Sequence, residues 1–329
     1  MDNKIKLVIY MPALNEEERI GDTLRSLPKK LNGVDEIEVL VVDDGSTDNT
    51  KKIARECGAK VFSHGTNKGV GAAFHSGVEQ SLHMGADIML SIDADGQFDV
   101  NNIPSLLEPI LKNRADFTTG NRFHKEGDRP EFMSRVKYWG NKQIARLVST
   151  MAGHKIRDVA CGFRAYNREV LLNLNLSGTF TYTQETILNL TYKEFRLTEV
   201  PISVKYFADR KSRVASSIFK YALNTFLIII RSYRDYQPLR FFGLSGIAIF
   251  LMGLGLDIWL VIHYIQVGTF SPFKVFGFLG GLLNLIGVLT IILALIADML
   301  GRIRTNQEQM LYLQKKDHFR STRLNENEK

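Results

Sequence analysis

Two carboxylates two residues apart, Asp93 and Asp95, stand at the end of an apolar run in Ser91-Ile92-Asp93-Ala94-Asp95-Gly96-Gln97. Along a strand both would point to one face; across a turn they would share one site. Acids that close repel each other unless a cation lies between them. A hard divalent ion, Mg2+ or Mn2+, suits such an oxygen set because it keeps positions open for phosphate oxygens. Gln97 offers a neutral third ligand. An Asp-x-Asp triplet by itself also occurs by chance in surface loops, so its place after a strand carries the weight.

Two further segments have the same form. Pro12-Ala13-Leu14-Asn15-Glu16 follows the first apolar run, and Val41-Val42-Asp43-Asp44-Gly45-Ser46-Thr47-Asp48 follows the second. Ser46 or Asp48 reads as a helix cap. Capping does not require the Asp43-Asp44 pair, which is suited to accept hydrogen bonds from a nucleobase or ribose.

The elements that must position these residues alternate in type. Leu7–Met11, Val39–Val42, Lys60–Ser63, Ile88–Ile92 and Phe117–Gly120 read as strands, and Arg19–Ser26, Asn49–Glu56, Val70–His83 and Ile103–Leu111 as helices. That alternation predicts an α/β domain, a mostly parallel sheet with helices on both faces. Ligands in such sheets bind where strands end and loops begin. Three acidic segments would thus converge on one sheet edge. A helix is expected over Met133–Met151 and a strand over Leu197–Val204.

The last third differs in character. Phe241–Leu300 contains two acids and one Lys, and the apolar stretches Leu239–Ile265 and Val275–Leu300 each exceed the ~20 residues a helix needs to cross a bilayer. Arg231, Arg234 and Arg240 precede them; Arg302, Arg304, Lys315, Lys316 and Arg320 follow. The net charge of +7 is therefore placed for an anionic membrane rather than for nucleic acid. The positive-inside rule sets both flanks, the catalytic domain and both termini in the cytoplasm. Asp257 and Asn284 lie deep in the spans and are expected to face protein. The boundaries read as a domain over 1–213, an interfacial amphipathic helix over 214–234, two spans within 235–302 (239–265 and 275–300) and a charged tail over 303–329. Two cysteines, Cys57 and Cys161, exclude a disulfide framework and a four-cysteine zinc site.

Together, Pro12–Glu16, Val41–Thr50, Asn67-Lys68-Gly69, Asp93–Gln97 and Cys161-Gly162-Phe163-Arg164 resemble the family 2 glycosyltransferases of the GT-A fold. Within them the chain resembles the dolichyl-phosphate mannose synthase group, which includes bacterial undecaprenyl-phosphate sugar transferases. The likeness implies a multi-pass membrane enzyme that moves a hexose from a UDP- or GDP-sugar to a polyprenyl phosphate, with inversion, and a homo-oligomer, a tetramer in two-span relatives. It places the nucleotide pocket at Pro12, Leu14, Glu16, Val42 and Asp44, and the metal–diphosphate site at Asp93, Ala94, Asp95 and Gln97. It assigns phosphates to Arg122, Arg135 and Arg210, whose guanidinium fork matches two oxygens. Asp158 has two readings, a residue orienting an arginine or the sugar, and a cap or salt-bridge partner.

Two departures bear on the sugar. Leu14 stands where relatives often carry an aromatic residue, and Lys211-Ser212-Arg213-Val214-Ala215-Ser216-Ser217 replaces the usual Gly-x-Ser-Lys. A processive polysaccharide synthase shares fold and metal motif but usually has a Gln-x-x-Arg-Trp segment and more spans. A non-catalytic membrane scaffold would have no use for both acids, Gln97 and the basic positions together.

Overall fold

The computed structural model describes residues 4–123, 130, 133–176, 182–206 and 218–327. Seven strands form one sheet: β1 (Lys6–Ala13), β2 (Glu36–Asp43), β3 (Lys60–Ser63), β4 (Ile88–Ser91), β5 (Phe117–Asn121), β6 (Arg164–Asn167) and β7 (Leu197–Pro201). Their spatial order is β3-β2-β1-β4-β6-β5-β7. Every pairing is parallel except those of β6, which runs antiparallel to both β4 and β5.

β1 shows why the sheet is central. Its residues Leu7 to Met11 are all fully buried, the mark of a strand covered on both faces. Alternate side chains enter opposite layers, as a period of two demands. Val8 and Tyr10 join a cluster with Phe74, Val78 and Leu82 of α3 (Val70–His83). Leu7, Ile9 and Met11 join another with Ile20 and Leu24 of α1 (Ile20–Ser26) and Leu106 and Leu107 of α4 (Ile103–Leu111). Between α1 and α4 in sequence lies also α2 (Thr50–Glu56).

Register is what positions the chemistry. Pro12 pairs with Val42 and Ala13 with Asp43, while Tyr10 pairs with Ser91. The carboxyl ends of β1, β2 and β4 therefore open side by side, with all three acidic segments immediately beyond them.

The strands and helices expected in the first 120 residues are present, displaced by at most three residues at their ends. Residues 153–196 hold elements that hydrophobic patterning misses: β6, α6 (Arg168–Asn173) and α7 (Thr183–Tyr192). β6 reads as Arg-Ala-Tyr-Asn, yet Arg164 is fully buried. Its Nε donates to the Cys161 carbonyl at 2.7 Å, Nη1 to Thr183 at 2.8 Å and Nη2 to Val159 at 3.2 Å. A guanidinium buried as a clamp on three carbonyls looks polar in sequence and behaves as core. The expected helix after Met133 runs as α5, Arg135–Ala152. The expected strand to Val204 ends at Pro201, although Val204 still bridges Phe98.

α8 (Ile218–Tyr236) leads into α9 (Pro238–Val267) and α10 (Lys274–Asn327). Two compact units result, Met1–Ile229 with Leu311–Lys329, and Ile230–Met310. In the second, α9 and α10 are each long and apolar enough to cross a membrane. Their large apolar side chains are exposed, Ile265 by 75% and Phe278 by 82%, which a core hairpin of a water-soluble protein would not tolerate. Gly246, Gly253, Gly280 and Gly287 let the two helices approach closely, and Asn284 Nδ2 donates to Asp257 at 2.6 Å.

The end of α10 belongs to the first unit. Phe319 is buried against that unit's core, its carbonyl accepts from Arg168 at 3.2 Å, and Lys315 Nζ donates to the Leu174 carbonyl at 3.0 Å.

Candidate active site

The loop after β1 is stitched to the loop after β2. Asn15 adopts a left-handed φ of 51°, its N–H donates to Ser46 Oγ at 2.9 Å, and its Oδ1 accepts from Thr47 N–H at 2.8 Å. Glu16 N–H donates to Thr50 Oγ1 at 2.8 Å. Ser46, expected to cap a helix, thus holds the neighbouring loop, while Asp48 Oδ1 accepts from Thr50 N–H at 3.0 Å.

Asp44 is 5% exposed. Its carboxylate accepts from Lys68 N–H at 2.9 Å and Gly69 N–H at 2.8 Å, and lies 2.8 Å from His64 Nδ1. Asp43 accepts from Ser46 N–H at 3.1 Å and Ser63 Oγ at 2.7 Å. The acidic pair therefore anchors the Asn67-Lys68-Gly69 turn and shapes the floor beside Pro12 and Val42. Gly45 has a φ of 83°, and a Cβ there would stand 2.6 Å from the Thr66 carbonyl carbon. Only glycine permits both that backbone and that approach. His64 was invisible to motif reasoning; the signal is its burial beside Asp44.

Beyond β4, Ile92 N–H donates to the Tyr10 carbonyl at 3.0 Å, and the Ala94 carbonyl accepts from Thr23 Oγ1 at 3.2 Å. Gly96 turns the chain with a φ of 70°, and Asp95 Oδ1 accepts from Gln97 N–H at 3.0 Å. Asp93 lies against Gly162, where a Cβ would stand 3.3 and 3.5 Å from its two carboxylate oxygens. A glycine at that point keeps the flank of Asp93 open. Among the described residues no cluster of three His, Cys, Asp or Glu side chains stands ready for a metal. Two carboxylates and an amide are the oxygen donors that a hard divalent ion completed by phosphate and water oxygens takes.

The basic side of the site is built on a buried pair. Arg122 Nε and Nη2 donate to the two carboxylate oxygens of Asp158 at 2.7 and 2.9 Å, and Nη1 donates to the Tyr206 hydroxyl at 3.0 Å. The two side chains are 9% and 0% exposed. Burial alone would pull the Arg122 pKa down; the Asp158 carboxylate overrides it and holds it well above the ordinary value. Among the described residues three of the five guanidinium N–H groups have partners. Asp158 N–H donates to Glu199 at 2.9 Å, and burial raises the pKa of Glu199.

Backbone links this pair to the carboxylate segment. The Gln97 carbonyl accepts from Lys205 N–H at 2.9 Å, one residue before Tyr206. Lys137, in the first turn of α5, places Nζ 5.8 Å from the Tyr206 ring centre; burial and then Arg122 lower its pKa. Arg135 is exposed at the start of that helix, after the Ser134 cap. Lys205 thus ties Gln97 to the segment that carries Tyr206, and the pairing of β1 with β2 sets Pro12 beside Val42. Arg210 and Lys211–Ser217 lie outside the described residues.

The chain has known counterparts. The model of Glycosyl transferase family 2 matches residues 8–174. AglJ, a glycosyltransferase of Haloferax volcanii, is 30% identical over 302 residues, covering 90% of this chain and 96% of that protein. The chain belongs to glycosyl transferase family 2. It is a glycosyltransferase. A dolichyl-phosphate hexose transferase of the same organism is 30% identical over 196 residues, 60% of this chain and 81% of the relative. Glucosyl-3-phosphoglycerate synthase from Mycobacterium tuberculosis, solved with Mn2+, uridine diphosphate and phosphoglyceric acid, superposes with a TM-score of 0.55 at 20% identity. It covers 70% of this chain and 78% of that one, and the likeness establishes the GT-A fold.

Proposed function

We propose that the enzyme transfers a hexose from a nucleotide-sugar to a polyprenyl phosphate at the cytoplasmic face of a membrane, with inversion and with a divalent metal. The observation that carries this reading is that Lys205 N–H donates to the Gln97 carbonyl one residue before Tyr206, whose hydroxyl accepts from Arg122. On this reading an anion-binding cation works together with a metal-suited carboxylate pair, the two charges a transfer between two phosphate-bearing substrates needs. The dolichyl-phosphate hexose transferase among the relatives supports the lipid acceptor, as do the two exposed apolar helices.

Pro12, Leu14, Glu16 and Val42 form the wall for the nucleotide, and Asp44 fixes that wall through the Lys68-Gly69 turn. Asp93, Asp95 and Gln97 would hold Mg2+ or Mn2+, which would supply Lewis-acid stabilisation of charge on the diphosphate. Arg122 directs its guanidinium at phosphate oxygen, held in place by Asp158 and Tyr206. Arg135, at the mouth of α5, takes the acceptor phosphate, and Arg210 contributes to the donor side. The second pKa of a phosphate monoester is about 6, so near neutral pH the acceptor is already a dianion and no strong general base is required. Its oxygen bonds to the anomeric carbon as the carbon–oxygen bond to the nucleoside diphosphate breaks. Catalysis then rests on alignment and charge.

The test is direct. Full-length protein is incubated with polyprenyl phosphate and a panel of UDP- and GDP-sugars, and the glycolipid is identified by mass. Turnover should vanish with excess chelator, return with Mg2+ or Mn2+, and be lost in Asp95→Ala. Arg135→Ala should weaken use of the lipid about ten- to a hundredfold, the range of a lost charge-assisted contact, with nucleotide affinity kept. Full activity in chelator, or no glycolipid from any donor, overturns the reading.

A further inference from the structure

α5 presents a face of which the catalytic reading uses only the first residue, Arg135. Its sequence from Arg135 to Ala152 holds four cations, Arg135, Lys137, Lys142 and Arg146, and no acid. Asn141, Ala145 and Val148 bury one side against the domain. On the other side Arg135, Lys142 and Arg146 are exposed, and with Trp139 they fall within an arc of about 60° at 3.6 residues per turn. Trp139 is 64% exposed and its neighbour Val136 60%. A Cβ added at Gly140 would meet nothing within 4 Å, so the flank of this face is open as well.

A tryptophan in water between cations is costly unless something covers it. The covering partner must welcome an indole, with its apolar body and polar N–H, and must carry negative charge. A protein surface meets one of these demands in one patch and the other elsewhere. The headgroup layer of an anionic bilayer meets both at one depth, because indole rings favour that layer and cations bind its phosphates. We propose that the Arg135–Trp139–Lys142–Arg146 face of α5 docks on an anionic lipid surface, with Trp139 and Val136 inserted at the headgroup level. The contact lets the catalytic unit grip the bilayer through a surface of its own. Because Arg135 opens the same face, the proposal deepens the lipid-phosphate reading above and rests on it for that one residue only.

The two tryptophans of the chain make the test clean. Trp259 lies in α9, so Trp259→Phe leaves Trp139 as the single reporter. The full-length variant is placed in vesicles of phosphatidylcholine with or without phosphatidylglycerol, each carrying lipid brominated near the headgroup end of the acyl chain. Trp139 emission should shift to the blue and be quenched by bromine in the anionic vesicles, while aqueous acrylamide loses access. Lys142→Glu with Arg146→Glu should cut the bromine-quenched fraction roughly twentyfold, since each cation at such a surface is worth about a fivefold preference. Both positions are exposed, so the pair should fold, and an unchanged thermal transition confirms it. Acrylamide quenching without bromine quenching overturns the proposal, as does resistance to both quenchers, which would mean that a second copy or another protein covers the face. Bromine quenching indifferent to charge reversal also overturns it. Quenching as expected in a protein that makes no glycolipid would leave the docking intact and refute the function.

Discussion

Replacing Asp158 with Ala would strip the Arg122 guanidinium of its only carboxylate contact among the described residues while leaving it 9% exposed. Removing one partner of a buried pair costs about 3–5 kcal/mol, because the survivor stays desolvated without compensation. Two features place this site within that range. The contact is bidentate at 2.7 and 2.9 Å, and Arg122 retains just the Tyr206 hydroxyl at 3.0 Å as a neutral acceptor. In a domain of this size each kcal/mol shifts the thermal midpoint by about 2–4 °C, so Asp158→Ala should lower it by roughly 6–20 °C. Arg122→Met should cost less than Asp158→Ala, since the orphaned carboxylate keeps N–H donors from Arg122 and Ala160 of the main chain. The double variant should be more stable than the sum of the singles predicts, by at least about 1 kcal/mol of coupling. The assay is thermal unfolding of the full chain in detergent, followed by circular dichroism of the first unit's mixed α/β signal, for the wild type and the three variants. If Asp158→Ala shifts the midpoint by less than 2 °C, or if the two losses simply add, the pair is not the anchor described and Arg122 has all five N–H groups for phosphate.

Gly162→Ala would set a methyl 3.3 Å from Asp93 Oδ1. Pushing that carboxylate by a few tenths of an ångström should raise the metal concentration for half-maximal rate about tenfold with nucleotide affinity intact, as read by metal titration of initial rates. Burial, and then the nearby Asp158, push the Cys161 thiol up to about 12. A raised pKa leaves the thiol protonated throughout the neutral range, so iodoacetamide at pH 8 should modify half-buried Cys57 and spare Cys161 until denaturant is added. Peptide mass mapping distinguishes the two, and rapid native labelling of Cys161 would contradict its buried placement.

Much of the catalytic unit could be read without coordinates, for a physical reason. Parallel strands covered on both faces need unbroken apolar runs, and helices laid over them need their own period, so local composition reports both. Val70–His83, Lys60–Ser63 and Ile103–Leu111 were legible to the residue. The acidic segments were legible too, because the end of a strand in such a sheet is a place, and three of them share it. The long apolar helices announced themselves by length alone.

Tertiary structure decided what each polar residue is for. Asp44 looked like a direct ligand for a nucleotide, and the fold commits its carboxylate to two backbone N–H groups and His64. Ser46 looked like a cap and became a tether for Asn15. Arg164, legible in sequence only as part of a motif, is fully buried and holds three carbonyls. Asp158 had two readings in sequence; only the approach of residues 36 apart could pair it with Arg122. Lys137 and Tyr206 gave no motif at all, yet they share one cluster with Arg122. The charged tail buries Phe319 against the core of the first unit. Periodicity records which side of an element meets the core, a local property. Which donor meets which acceptor across the sheet depends on contacts far apart in the chain, and those exist only once the sheet has closed.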